Sequence, residues 1–200
     1  QRLREFLDIM PGGFPATPSK VEMKLLKRLF TPEQAEITLQ LKPLPEPLDA
    51  IAQRLGTGED TAREKLEQMT NEGLIVGFKI NDKQHYMAIS FVVGIYELHV
   101  HTIDRELAEL FEEYLPYIGM RMAGVKTKQL RVLPVASALD SGPKVAPYNQ
   151  VRELVKGHTV ASVAPCICRK EQELMGHGCD KPKELCLQFG PMASYGIERG

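Results

Sequence analysis

All four cysteines of this 200-residue sequence lie in one stretch, APCICRKEQELMGHGCDKPKELC, from Ala164 to Cys186. Three kinds of chemistry use cysteines in this way: a disulfide framework, a metal or cluster site, and a reactive dithiol. No secretory signal opens the sequence, so a cytoplasmic location is expected, where disulfides are rare. A dithiol formed by Cys166 and Cys168 leaves Cys179 and Cys186 unexplained. The pattern therefore favours one site in which all four thiolates bind a metal or a cluster.

The spacing of the first two cysteines bears on the choice between zinc and an iron–sulfur cluster. Cys166 and Cys168 follow a predicted strand, and in an extended chain two such residues have Cα atoms roughly 6.6 Å apart. Neighbouring thiolates around one zinc ion are only about 3.8 Å apart, so the pair would have to bend sharply to bind it. A multi-iron cluster offers ligand positions over a wider body. This geometry favours a [4Fe–4S] cluster, with zinc as the alternative.

Two further features of the stretch suit a thiolate site. Gly176 and Gly178 flank His177 and predict a tight turn with exposed N–H groups, which hydrogen-bond thiolate and sulfide. A helix is predicted to begin near Asp180 and to place Cys186 in its first turns, where the positive helix end favours a thiolate. Because four thiolates complete a [4Fe–4S] site, His177 is not required as a ligand.

Basic residues lie close to the cysteines in the sequence. Arg169 and Lys170 directly follow Cys168 and would offset the negative charge of four thiolates. A second basic segment, without acidic residues, lies between Tyr114 and Leu139. We predict that it docks an acidic redox partner protein or faces the cluster, and a solvated surface is the alternative. Its members are Arg121, Lys126, Lys128 and Arg131.

The elements before the cysteines predict a winged helix-turn-helix domain over residues 20–90. A helix start at Thr31 can form a capping box with Gln34. A later helix ends at Gly56, and a turn at Asn81-Asp82 joins two strand-like runs. Helices followed by a hairpin in this order are typical of a winged helix. Residues 1–19 are interpreted as a lead-in to this domain.

The second helix of the motif, Thr57 to Gly73, decides whether the domain is expected to read DNA. Entry into a groove requires basic or amide side chains that face phosphates and base edges. The helix carries only Arg63 and Lys65 against Glu59, Asp60, Glu64, Glu67 and Glu72. DNA binding by this helix is therefore disfavoured, and a protein-interaction role is favoured. A basic face on the first helix keeps DNA binding open, through Lys20, Lys24, Lys27 and Arg28.

Residues 91–119 are predicted to form a connecting helix, as one longer helix or a helix pair over 91–115, and residues 120–200 a small α/β domain that contains the cysteines. The helical part, residues 91–115, has an apolar stripe that indicates a core face, with a homodimer seam as the alternative: Ile103, Leu107, Leu110 and Tyr114. No apolar run reaches the roughly 18 residues of a membrane-spanning helix, so no membrane partner is expected. The last domain is predicted to contain the strands Leu130–Val135 and Thr159–Ala164 and the helix Tyr148–Val155.

Several segments together resemble a known family. Val163-Ala-Pro-Cys-Ile-Cys-Arg-Lys170, Gly178-Cys-Asp-Lys-Pro182 and Leu185-Cys186 are similar to ferredoxin-like iron–sulfur proteins of anaerobic bacteria and archaea. Members of that family pair an N-terminal winged helix with a cysteine-rich C-terminal half, and they typically continue into a further ferredoxin-type cysteine cluster. The resemblance implies that Cys166, Cys168, Cys179 and Cys186 are cluster ligands. It extends to Met10-Pro-Gly-Gly-Phe-Pro15, Phe91-Val-Val-Gly-Ile-Tyr96 and Leu130-Arg-Val-Leu-Pro-Val135.

The sequence therefore predicts an α+β protein with a winged helix-turn-helix domain followed by a small α/β cysteine-rich iron–sulfur domain. We expect a [4Fe–4S] cluster that transfers electrons or senses redox state in anaerobic metabolism, in a non-catalytic protein that has a redox partner. Two alternatives stay open. One is a redox- or metal-responsive winged-helix transcription regulator, and the other is a protein-interaction module with a structural zinc ion.

Overall fold

The computed structural model describes residues 1–124, 126, 152–153 and 155–199 of the chain. The chain divides into two compact units, one made of residues 1–126 with 167–180 and the other of 127–166 with 181–200. Helices and short antiparallel sheets make the architecture α+β, as predicted. The division differs from the predicted boundaries at 20, 90 and 120, because residues 167–180 belong with the N-terminal unit. No helix in the described part of the chain is long and apolar enough to cross a membrane.

Three helices open the first unit: α1 Arg2–Asp8, α2 Val21–Leu29 and α3 Pro32–Thr38. The capping box predicted for α3 is present. The Gln34 N–H donates to the Thr31 hydroxyl, and the Thr31 N–H donates to the Gln34 amide oxygen. Helix α2 turns its apolar side toward the core and buries Val21, Leu25 and Leu26. Local sequence chemistry therefore explains where α3 begins and which face α2 buries.

The next elements have the order predicted for a winged helix. They are β1 Glu46–Pro47, α4 Leu48–Leu55, α5 Glu59–Asn71, β2 Val76–Ile80 and β3 Lys83–Met87. Gly56 ends α4 in the left-handed conformation with a φ of 66°, which is strained for other residues. Asn81 and Asp82 both have positive φ, as the tight turn between paired strands requires. The three strands form an antiparallel sheet in the order β1-β3-β2.

The segment predicted over 91–119 as a longer helix or a helix pair is interrupted, so it forms separate helices and not one long helix. Val92, Val93 and Gly94 have non-helical backbone angles. A short helix α6 covers Tyr96–Leu98, and helix α7 runs from Arg105 to Gly124. The break allows the Phe91 and Tyr96 side chains to enter the core separately. The apolar stripe belongs to the core as predicted, because Ile103, Leu107 and Tyr114 are buried and Leu110 is partly buried.

An aromatic cluster at the centre of the first unit holds the N-terminal segment on α7. Phe14 is fully buried, and its ring centroid lies 4.5 Å from that of Phe91 and 4.9 Å from that of Tyr114. The Phe14 N–H donates to the Asp8 carboxylate, and the Tyr114 hydroxyl donates to the Pro15 carbonyl. The segment interpreted as a lead-in is therefore part of the core.

Helix α8, Ile167–Leu174, belongs to the first unit and packs on α7. Its Ile167 side chain is 4% exposed and joins the core. Lys170 donates from Nζ to the Val100 carbonyl at 2.6 Å. Gln172 donates from Nε2 to Glu112 Oε2 at 3.2 Å. An apolar contact and two polar contacts therefore attach α8 to the rest of the first unit.

The second unit contains a two-stranded antiparallel sheet and a helix that packs on it. The strands are β4 Ala161–Pro165 and β5 Glu184–Phe189, and the helix is α9 Pro191–Arg199. Strand β4 confirms the strand predicted at Thr159–Ala164. The helix predicted from Asp180 is wrong, because the alternation of Leu185, Leu187 and Phe189 with polar residues suits a strand and β4 supplies its partner. The predicted strand Leu130–Val135 and most of the predicted helix Tyr148–Val155 lie outside the described residues.

Candidate metal centre

The four cysteines are all outside disulfides. Cys166 and Cys186 are partly buried, and Cys168 and Cys179 are exposed. Cys166 directly precedes α8, and Cys168 is the second residue of that helix. The prediction that the Cys-x-Cys pair is extended is therefore wrong, because Ile167 already begins a helix. The spacing of Cys166 and Cys168 therefore does not favour a cluster over zinc.

The cysteines are distributed over both units. Cys168 and Cys179 belong to the first unit, and Cys166 and Cys186 belong to the second. In the part of the chain that the structure describes, no three His, Cys, Asp or Glu side chains are grouped so that they could hold a metal ion. Two of the four predicted cysteine ligands therefore lie in each unit.

The pair in the first unit is organised by α8. Arg169 donates from Nη1 to Cys179 Sγ at 3.0 Å. A guanidinium at this distance stabilises a negatively charged sulfur atom. Arg169 therefore has the contact expected of a residue that offsets thiolate charge. Lys170, predicted for the same role, reaches the Val100 carbonyl instead.

The glycine turn between α8 and Cys179 has a different function from the one predicted. Gly176 has a φ of 82°. Its N–H donates to the Glu173 carbonyl at 3.0 Å, and the His177 N–H donates to the Gln172 carbonyl at 2.7 Å. These two bonds form a Schellman motif, which satisfies the last carbonyls of a helix. Both N–H groups therefore cap α8 and are not directed at sulfur.

The pair in the second unit is positioned by the two-stranded sheet. Cys186 lies on β5 opposite Ala164 of β4. The Cys166 N–H donates to the Lys183 carbonyl at 2.7 Å, just beyond the end of the paired strands. Cys166 and Cys186 consequently lie at the same end of this sheet. The strand register, rather than a helix start as predicted, determines where Cys186 lies.

A buried acidic residue next to the cysteines was missed by sequence analysis. Glu171 on α8 is 3% exposed. Burial, and then the neighbouring Glu112, raise the pKa of Glu171 to about 7. Burial also raises the pKa of Tyr96, which lies beside Glu171. The sequence signal was available, because Ile167, Glu171 and Leu174 share one face of a helix and the other two are apolar.

The predicted basic docking segment is only partly described. Arg121, near the end of α7, has its Nε 3.9 Å from Asp8 Oδ1. It therefore has an acidic neighbour that is distant in sequence, and it packs on the N-terminal segment, where a Cβ on Gly13 would lie 2.9 Å from its Cγ. Lys126 is exposed. Lys128 and Arg131 lie outside the described residues.

The two basic residues of α5 both form ion pairs. Arg63 pairs with Asp60 at 3.1 Å, and Lys65 pairs with Glu33 at 2.6 Å. Both basic residues of α5 thus already contact a carboxylate. On α2, Arg28 pairs with Asp104 at 2.7 Å, which removes it from the predicted basic face. The exposed lysines of that face are Lys20, Lys24 and Lys27.

Known proteins show little similarity to this chain. No family model and no curated protein matches the chain. Among solved structures, the chain is similar to the solution structure of apo-NmtR, with 21% sequence identity over 58% of this chain and 90% of that chain and a TM-score of 0.28. Similarity at that level does not establish a shared function.

Proposed function

We propose that this protein binds a [4Fe–4S] cluster through Cys166, Cys168, Cys179 and Cys186, and that it transfers electrons or senses redox state without catalysing a reaction of its own. The observation that carries the proposal is the state of these side chains. All four are outside disulfides, and Cys179 lies against the Arg169 guanidinium. Four thiolates form the ligand set that such a cluster requires.

The residues around the cysteines have specific parts in this proposal. Cys166 and Cys168 lie at the N-terminal end of α8, where the positive end of the helix favours negatively charged sulfur. Arg169 compensates part of the charge at Cys179. His177 is not needed as a ligand, because four thiolates suffice. When bound, the cluster supplies reversible one-electron transfer.

The remainder of the first unit would then be an interaction module. The acidic surface of α5 repels the phosphates of DNA, which favours a protein partner over a transcription target. The basic residues Arg121, Lys126, Lys128 and Arg131 are proposed to dock an acidic redox partner protein. Charge reversal at Lys126 and Lys128 should then slow electron exchange more at low salt than at high salt. Equal slowing at both salt concentrations would contradict this docking role.

Zinc is the second candidate, and one observation favours it. Cys166 and Cys168 lie at a helix start, where the chain bends, and not in the extended chain that disfavoured zinc. Structural zinc sites bind thiolates from such turns. In that case the cysteines would stabilise an interaction module or a metal-responsive regulator, and no electron transfer would occur.

Anaerobic purification followed by iron, sulfide and zinc analysis distinguishes the two candidates. The cluster predicts iron and sulfide in equal amounts, with broad absorption near 400 nm that bleaches on reduction. Cys179→Ser and Cys186→Ser should each deplete iron, whereas His177→Ala, the matched control within the same turn, should retain it. Colourless protein with one zinc ion per chain that depends on all four cysteines would establish the second candidate instead.

A further inference from the structure

A buried carboxyl group of α8 faces a partly buried carboxyl group of α7. Glu171 of α8 is 3% exposed and faces Glu112 of α7. Gln172 donates to the same Glu112 carboxylate at 3.2 Å, which fixes it beside α8. Within the described part of the chain, Glu171 Oε1 and the Tyr96 hydroxyl are both buried without a hydrogen-bond partner. A buried polar group without a partner is rare and calls for an explanation.

The charged groups that surround this pair do not neutralise it. Glu112 of α7 and the Tyr96 hydroxyl of α6 act on Glu171, and Tyr96 in turn lies near Glu97 and Cys168. The two basic residues of α8 are directed elsewhere, Arg169 to Cys179 and Lys170 to the Val100 carbonyl. A carboxyl group that is buried, away from cations, and that faces a second carboxylate favours its protonated form. Glu171 therefore keeps its proton more readily than an exposed carboxyl group does.

We propose that the buried Glu171 carboxyl group holds a proton while α8 packs on α7, and that this proton acts as a latch between the two helices. When it leaves to solvent, a negative charge is left in a buried place opposite Glu112, and α8 separates from α7. Because α8 carries Cys168 and Arg169, the latch controls the position of the cysteine segment. This holds whether those cysteines bind a cluster, zinc or nothing.

The direction of the pH effect follows from the contacts. The pKa of Glu171 is raised while α8 is docked and returns to its ordinary range when α8 separates. Docking is therefore strongest below the ordinary carboxyl range, weakens as the pH rises toward 7, and changes little above it. Each pH unit within that window should change the docking equilibrium by up to about tenfold.

Native-state hydrogen exchange of the metal-free full chain between pH 5 and pH 8.5 tests the latch. The reporter is the Met175 N–H, which donates to the Glu171 carbonyl at 2.9 Å. After correction for intrinsic exchange, its protection should fall by up to about tenfold per pH unit between pH 5 and 7 and then level off. Amides of α5, on another part of the same unit, should show no such fall.

Matched variants complete the experiment. Glu171→Gln mimics the protonated side chain and should make the protection of Met175 independent of pH. Glu173→Gln, at an exposed position of the same helix, should leave the pH dependence as in the wild type. If Glu171→Gln does not fold, Glu112→Gln, which removes the opposing charge, should reduce the pH dependence. Protection that is constant with pH in the wild type, or a pH dependence that is unchanged in a folded Gln variant at either position, would overturn the proposal.

Discussion

Replacement of Gly176 by Ala tests the interpretation of the turn after α8 as a helix cap. The glycine has a φ of 82°, and a Cβ built on it meets nothing within 4 Å. The change therefore introduces no clash, and its cost is that of a side chain in the left-handed region, about 1–2 kcal/mol. Ala also restricts the unfolded chain, which returns up to about 1 kcal/mol. The net loss of unfolding free energy should be about 1 kcal/mol.

Equilibrium urea unfolding followed by circular dichroism measures this loss, and the same turn provides the control. Gly178 is not in the left-handed region, and a Cβ on it would lie 3.5 Å from Glu173 Cα, an ordinary contact. Gly178→Ala should therefore be close to neutral. Gly176→Asn should lose less than Gly176→Ala, because Asn tolerates the left-handed region. Equal losses for Ala at 176 and at 178 would refute the capping argument.

Three further outcomes are expected. Phe14→Ala should lower the unfolding free energy by about 3–5 kcal/mol in urea titrations, because a fully buried ring leaves a cavity; Ile9→Ala, at a side chain that is 83% exposed, should be near neutral. The hydrogen bond from Arg54 lowers the pKa of Glu46 to about 2, so this pair stabilises the fold above the ordinary carboxyl range and loses that effect as pH falls toward 2. Because Arg54 is 30% exposed, screening limits the effect to about 1 kcal/mol, and Glu46→Gln should remove it from the pH dependence of thermal unfolding. Duplex DNA should show no sequence-specific binding through α5 in gel-shift assays at physiological salt, and submicromolar binding abolished by Arg63→Ala would contradict this.

Those features that neighbouring residues determine could be predicted from the sequence. The cap formed by Thr31 and Gln34, the helix stop at Gly56 and the turn at Asn81-Asp82 each depend on the chemistry of two or three adjacent residues. The order of elements in the first unit followed from them. The core role of the stripe on α7 was also predicted, because its period matches a helix face.

Features that depend on distant partners could not be predicted. The segment containing Cys186 forms a strand because β4 pairs with it, and a short apolar run does not reveal which partner it will find. The turn at Gly176 was predicted, but its N–H groups were expected to donate hydrogen bonds to sulfur, because the helix before it was not recognised. Glu171 is buried only because α7 covers it. The errors at the Cys-x-Cys pair and at the glycine turn therefore have one cause, the unrecognised helix α8, and the error at Cys186 has another, the unrecognised pairing with β4.

The first unit is discontinuous along the chain, and this affects how the protein can fold. Helix α8 contributes Ile167 to the core, yet residues 127–166 separate it from the rest of its unit. During synthesis, the ribosome must translate the chain beyond residue 174 before α8 can join this core. Until then, the surface of the N-terminal helices that α8 covers is exposed to solvent. The entropic penalty of bringing the ends of this intervening segment together is modest, since a doubling of the length of a closed chain segment adds only about 0.6 kcal/mol. The separation in sequence instead lowers the folding rate, because contacts between distant segments form slowly. A truncated chain that ends before α8 should consequently bind chaperones, or aggregate, more than the full chain does.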